Sequence, residues 1–232
     1  MSRRTRPTVL CVPGLGANEK AFQFLEFPGC DVRTLPWIPL DHPKETLPAY
    51  CARLAQGIED PENTILCGLS FGGIAAIEIA KILPIHKTIL ISSVKTRREL
   101  PNTIKIARAL PLHRIVSAEA FGRTSFWYRW TFGKITDEHR ALIKEMIEEM
   151  DGPFTEWCAD RAVMWKNTVI PHDVYHIHGT NDRVFPHFHI RNFIRIKGGT
   201  HFMIIDRADD INPHLRDIIE GRAEDARTRS GA

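Results

Sequence analysis

Between Gly72 and Leu83 the chain offers almost no polar face: Ile74, Ala75, Ala76, Ile77, Ile79, Ala80 and Ile82 surround a helical cylinder. Such a helix has to be covered on every side, so it belongs at the centre of the fold. The run before it, Thr64 to Cys67, is short, continuous and apolar, the pattern of a strand buried on both faces. Gly68-Leu69-Ser70-Phe71-Gly72 joins the two. A central strand leading into a central helix is the core of a layered α/β structure.

The same alternation runs along the rest of the chain. Thr8 to Val12, Asp31 to Leu35, Lys87 to Val94, Val174 to Ile177 and Phe193 to Ile196 read as further strands. Leu47, Tyr50, Leu54 and Ile58 recur at helical spacing. Asn212-Pro213 reads as a cap followed by proline at the first helical position, opening a last helix that turns Ile211, Leu215, Ile218 and Ile219 inward. The expected fold is a mainly parallel sheet of about six strands flanked by helices.

One region interrupts it. From Lys95 to Pro171 no convincing strand appears, while Ile143, Met146, Ile147 and Met150 form a helical stripe after a cap at Thr136. Phe154, Trp157, Arg161 and Trp165 form a second helical row, and Phe126, Trp127, Tyr128, Trp130 and Phe132 crowd into seven residues. An insertion of this kind reads as a helical lid placed before the last two strands. The expected organisation is a core of residues 1–95 and 172–222, a lid of 96–171 and a flexible tail of 223–232. Trp127, Trp130, Trp157 and Trp165 are its candidate substrate contacts, with packing within the lid as the competing role.

At 232 residues, 43% hydrophobic and 25% charged, the composition is that of one globular core. The net charge of +3 is small, and Arg3, Arg4 and Arg6 form the one compact basic cluster. Nucleic acid is therefore not an expected partner. Val9 to Val12 stops at Pro13-Gly14, too short for a signal-peptide core, and no stretch approaches the roughly 18 apolar residues of a membrane span. The five cysteines are odd in number and lack CxxC spacing, and Cys11 and Cys67 sit inside strands. They read as buried thiols of a cytoplasmic protein.

The chemistry gathers at the loops that follow strands. Ser70 lies in G-x-S-x-G on a tight strand-to-helix turn, where residues two positions away must be small. A serine hydroxyl needs a base to become nucleophilic. Gly198-Gly199-Thr200-His201 follows the last strand and supplies one, and Asp182 follows the strand before it and supplies an acid to hold the imidazole. All three reach the carboxyl edge of parallel strands, where sheets of this kind bind ligands. The backbone amides of Leu15 and Phe71 are the expected donors to a developing oxyanion. Glu99 and Asp206 are alternative acids that follow a strand end less directly.

Gly14-x-Gly16, Gly68-x-Ser70-x-Gly72, His178-Gly179-x-x-Asp182 and Gly199-x-His201, in that order, resemble the α/β-hydrolase family from Val9 to about Leu215. The resemblance implies a compact version of that fold, with Thr8 to Val12 as its third strand and the earlier antiparallel strands missing. Where family members often carry His-Gly, this chain has Pro13-Gly14. The implied reaction is hydrolysis of an ester or thioester through a Ser-His-Asp triad, on a small-molecule substrate with an apolar group. The alternatives are C–C bond hydrolysis or a lyase step on the same triad, or a slow-turnover, ligand-binding relative. No cofactor is implied. His176 and His178 alternate on a strand, and His187 and His189 on a loop, yet no carboxylate or cysteine is spaced to complete a metal cage. His178 is expected instead to support the loop that carries Asp182.

Overall fold

The computed structural model describes residues 6–104, 136–149 and 151–225. Its strands are β1 (Thr8–Val12), β2 (Asp31–Thr34), β3 (Thr64–Leu69), β4 (Lys87–Ile91), β5 (Val174–Gly179) and β6 (Ile194–Ile196). They form one sheet in the order β2-β1-β3-β4-β5-β6, and every pairing is parallel. The carboxyl ends of all six strands therefore open on one rim.

Alternate residues of each strand feed two separate cores. Leu10, Val12, Leu66 and Leu90 face α1 (Leu47–Leu54) and α2 (Phe71–Ala80), with Tyr50, Ile74 and Ile77 in the same cluster. Val9, Cys11, Ile65, Cys67, Ile89 and Ile177 face the other way, onto Met203, Ile211, Leu215 and Ile218. Helix α2 is buried from Phe71 to Ile79, as its lack of a polar face demands. Its one acid, Glu78, is buried too, held by Lys81 Nζ at 2.7 Å and Trp165 Nε1 at 2.7 Å.

Between β4 and β5 lie α3 (Asp137–Glu148) and α4 (Gly152–Met164). Thr136 caps α3 by accepting from the His139 amide, and Ile143 and Met146 are buried; the side chain of Ile147 lies outside what is described. Met150 and the aromatic group Phe126 to Phe132 lie outside the described residues, so the roles expected of Trp127 and Trp130 fall there as well. Trp157 and Trp165 are described and buried. The Trp157 indole donates to the Glu45 carbonyl at 3.0 Å, and its ring lies 4.8 Å from that of Tyr50. With both indole N–H groups bonded into the core, these two tryptophans pack α4 onto α1 and α2. That is the packing role weighed against substrate contact for these two residues.

The end of the chain departs from its expected boundary. After α5 (Met203–Asp206), α6 runs from Ala208 to Ile219 and contains Pro213 in its interior. Asn212 does not cap it. Its side chain is buried, accepts from the Glu26 amide at 3.0 Å and donates to the Phe24 carbonyl at 3.1 Å. The Asn-Pro pair reads locally as a helix start, but a long-range contact takes the asparagine, and Asp209 and Asp210 occupy the first turn instead. Residues 223–225 are tied down: the Ala223 amide donates to Asp217 and Asp225 accepts from the Asp173 amide. Residues 226–232 lie outside the described residues. Among the described residues no helix is long and apolar enough to cross a membrane.

Two measurable consequences follow from what the core buries. Trp165→Phe keeps an aromatic ring, though a smaller one, and strips a donor from the buried Glu78 carboxylate; unfolding free energy is expected to fall by about 1–3 kcal/mol. Unchanged denaturant midpoints would remove Trp165 from the packing scheme. The second concerns His176 and His178 on β5, at 1% and 0% exposure. Burial drives both below their ordinary value of 6.5; at His176 the Lys95 charge adds to it, and at His178 Asp182 opposes it. The unfolded rings take up protons below about pH 6.5 while the folded ones stay neutral. Stability is thus fully present above that pH and lost as pH falls, by about 1.4 kcal/mol per pH unit for each ring that stays neutral. Urea unfolding at pH 7.5, 6.5 and 5.5 measures this, and a flat series contradicts it.

Candidate active site

Ser70 connects β3 to α2 in a backbone conformation, φ 51° and ψ −116°, that L residues seldom adopt. Such a residue costs on the order of 1–3 kcal/mol and persists where its surroundings fix it. Here they do. The Ser70 amide donates to the Ile91 carbonyl at 3.0 Å, and its own carbonyl accepts from the Gly73 amide at 3.0 Å and Ser93 Oγ at 2.6 Å. Gly72 explains the small residue two places on: a Cβ there would overlap the Val12 and Pro13 carbonyl oxygens. The loop after β1 is thereby pressed against the turn that carries the serine.

His201 and Asp182 meet because two other loops touch backbone to backbone. A Cβ on Gly179, at the end of β5, would overlap the Gly199 carbonyl. With no side chain there, the Asn181 amide donates to the Gly199 carbonyl at 2.9 Å and the Thr180 amide to the Ile196 carbonyl at 3.0 Å. The loops after β5 and β6 are laced together, and their functional side chains face each other. His201 Nδ1 lies 2.9 Å from Asp182 Oδ2, and His201 Nε2 lies 2.9 Å from Ser70 Oγ.

The proton positions follow from the partners. A carboxylate only accepts, so Nδ1 carries hydrogen and donates to Asp182, and the bare Nε2 accepts from the serine hydroxyl. Asp182 Oδ1 accepts from the Val184 and Phe185 amides, each at 2.8 Å, leaving Oδ2 for the imidazole. Burial by itself would raise the Asp182 carboxyl. The neighbouring His201, with smaller help from His178 and the Phe185 amide, outweighs burial and holds it below its usual value. The edge of the Phe185 ring packs against His201, with centroids 5.6 Å apart. A hydroxyl, an imidazole and a carboxylate in series can carry a proton from oxygen to nitrogen.

Phe71 is the first residue of α2, where an amide has no partner within the helix. Leu15 lies on the loop that Gly72 contacts. Both line a cavity of about 590 Å³ together with Trp37, Ile38, Leu40 and Phe154, while Asn18, Glu149 and Asp151 add polar atoms. Trp157 and Trp165 are not among its lining residues. Trp37 is the residue that sequence reasoning missed; its signal was the apolar run Trp37-Ile38-Pro39-Leu40 just past the carboxyl end of β2. Of the alternative acids, Glu99 is committed to Lys95 at 2.9 Å and Asp206 sits on α5, whereas Asp182 is bonded to the imidazole. Among the described residues no three His, Cys, Asp or Glu side chains are grouped as a metal would need.

Solved structures of low sequence identity share this architecture. MenH from S. aureus is 15% identical, over 95% of this chain and 96% of its own, with a TM-score of 0.72. A bromoperoxidase from Bacillus anthracis is 18% identical over 93% and 92%, with a TM-score of 0.66. The enol-lactonase from Burkholderia xenovorans LB400 is 14% identical over 95% and 94%, with a TM-score of 0.65. At these identities the likeness carries the fold and nothing more. No curated protein matches the sequence. The family model described as the alpha/beta hydrolase family matches residues 9–214, nearly the whole span of the sheet and its helices. The chain belongs to the alpha/beta hydrolase family.

Proposed function

We propose that the chain is a serine hydrolase that cleaves a carboxylic ester or thioester through an acyl-enzyme. The observation that carries this reading is the unbroken series from Ser70 Oγ through the His201 ring to Asp182, mounted on a strained strand-to-helix turn. In the first step His201 Nε2 takes the hydroxyl proton as Ser70 Oγ attacks the carbonyl carbon. The carbonyl oxygen becomes an oxyanion, received by the Leu15 and Phe71 amides; the loss of one such donor typically costs about 3 kcal/mol of transition-state stabilisation. The protonated His201, stabilised by Asp182, passes its proton to the leaving oxygen or sulfur as the bond breaks. Water then attacks the acyl-enzyme with His201 again as base, which releases the acid and restores Ser70.

The cavity beside Leu15 and Phe71 supports an apolar acyl or alkyl group, since Trp37, Ile38, Leu40 and Phe154 form much of its wall. Residues 96–171, between the core segments 1–95 and 172–222, act in this scheme as a lid. The enol-lactonase among the structural neighbours bears a name in keeping with ester chemistry on this fold. All five cysteines carry free thiols, in keeping with a reducing, cytoplasmic setting.

Purified protein treated with a fluorophosphonate probe and with p-nitrophenyl esters of increasing acyl length tests the proposal. Stoichiometric labelling of Ser70 and multiple turnovers are expected, with activity rising as the chain begins to fill the cavity. Ser70→Ala should lose labelling and about 10⁴-fold or more in kcat, and Asp182→Asn roughly 10⁴-fold through the wrong imidazole tautomer. Labelling that survives in Ser70→Ala refutes the assigned nucleophile. Labelling without turnover points instead to a ligand-binding relative.

A further inference from the structure

A second set of buried polar side chains stands behind Asp182, and the reaction above does not use it. Lys95 and Glu99 follow β4, His176 and His178 lie on β5, and all four are buried, Lys95 at 1% exposure. Their contacts form a line. His178 Nε2 is 2.8 Å from the Phe185 carbonyl, His178 Nδ1 is 3.2 Å from His176 Nε2, and His176 Nδ1 is 2.8 Å from Lys95 Nζ. Lys95 Nζ also donates to the Arg191 carbonyl at 2.6 Å and pairs with Glu99 at 2.9 Å. Glu99 accepts in addition from the Lys95 and Arg191 amides. The Phe193 ring covers both imidazoles, at 6.3 and 5.8 Å between centroids.

With Lys95 charged and both rings neutral, one arrangement of protons satisfies these contacts. A carbonyl accepts, so His178 Nε2 must carry hydrogen, and in a neutral ring Nδ1 is then bare. The bare nitrogen needs a donor, so His176 carries its hydrogen on Nε2 and presents a bare Nδ1 in turn. That nitrogen also needs a donor, and an ammonium, which has three donors and accepts nothing, ends the sequence. Its three hydrogens meet three acceptors: His176, Arg191 and Glu99. Burial favours the neutral form of both rings.

We propose that Lys95, acting through His176, is a positioning residue that fixes the Nε2–H form of His178 and so holds the Phe185–Asp182 turn against His201. This rests on the catalytic reading given above. Phe185 is the pivot. Its amide donates to Asp182 Oδ1, its carbonyl accepts from His178, and its ring packs on His201. Without the lysine donor, His176 Nδ1 loses the group that kept it bare; a hydrogen placed there turns a bare Nε2 toward His178 Nδ1, which can then take the hydrogen. The bare His178 Nε2 then points a lone pair at the Phe185 carbonyl and at Asp182 Oδ2, 3.6 Å away. Both are acceptors, and the turn is pushed from its place.

Imidazole nitrogen NMR on the ¹⁵N-histidine-labelled full chain, read together with fluorophosphonate labelling rates, tests this. Wild-type protein is expected to show His176 and His178 as Nε2–H forms. Lys95→Met should move His178 toward the Nδ1–H form and slow labelling, and kcat for a p-nitrophenyl ester should fall by up to roughly 10² with KM little changed, the order that a misplacement of about 1 Å brings. In a His178→Gln background, where the amide donor does not depend on His176, Lys95→Met should add no further loss. Lys95→Gln, whose amide still offers His176 Nδ1 a donor, is expected to keep the Nε2–H form of His178 and near wild-type labelling, and is the variant to read if Lys95→Met does not fold. An Nδ1–H form of His178 in the wild type overturns the proposal. So does wild-type labelling in Lys95→Met, an Nδ1–H form of His178 in Lys95→Gln, or an undiminished Lys95→Met loss in the His178→Gln background. Failure of Ser70 to label in the wild type would strike the catalytic reading alone, because the tautomer spectrum still reports on the lysine.

Discussion

Ser70 sits at a backbone conformation that a serine avoids, and much of the rim is organised around keeping it there. Its amide is taken by Ile91 and its carbonyl by Gly73 and Ser93, so both β4 and the first turn of α2 hold the turn in place. The same closeness brings Gly72 onto the carbonyls of Val12 and Pro13, which fixes the loop carrying Leu15. One strained residue therefore sets three features together: an outward hydroxyl, an unpaired amide at Phe71 and the approach of the first loop. Strain of this kind persists only where rigid packing surrounds it, and α2, buried from Phe71 to Ile79, supplies that packing.

The acid and base are held on different terms. Their loops meet through backbone hydrogen bonds between residues 180–181 and 196–199, but the direction of each side chain depends on polar partners. Asp182 has four oxygen lone-pair directions to satisfy in a site without water access, and it fills them with two amides and one imidazole, with a second imidazole nearby. A buried carboxylate left short of donors would take up a proton and lose its grip on His201. Burial and pairing have to balance, and at Asp182 the pairing prevails.

Most of this was legible in the sequence for a physical reason. In a parallel sheet every strand ends on one rim, so a residue just past a strand is placed without knowing strand order. Ser70, Asp182 and His201 all satisfy that condition, and the continuous apolar strands made the sheet itself readable. What escaped depends on contacts between segments far apart. Asn212-Pro213 has the local chemistry of a helix start, and only the loop at Phe24 to Glu26 reveals why the asparagine is used elsewhere. Trp157 and Trp165 look like lid aromatics until Glu45 and Glu78 appear beside their indoles. The place of Lys95 was invisible, since nothing near it in sequence says that its side chain ends against a histidine 81 positions on.

The two modes of support imply different ways to fail. The serine turn is held by backbone groups, by the Ser93 hydroxyl and by close approach, which any larger residue at Gly72 violates. Damage there is felt first as damage to the fold, because the centre of the sheet and α2 share the same contacts. The Asp182 turn is held by backbone amides as well, but its Phe185 carbonyl is met by the His178 ring, whose proton can change sides. Damage there reaches the imidazole before it reaches the core. The Ser70 hydroxyl thus rests on the turn between the central strand and a buried helix, and the Asp182 turn rests against a line of hydrogen bonds that ends at Lys95.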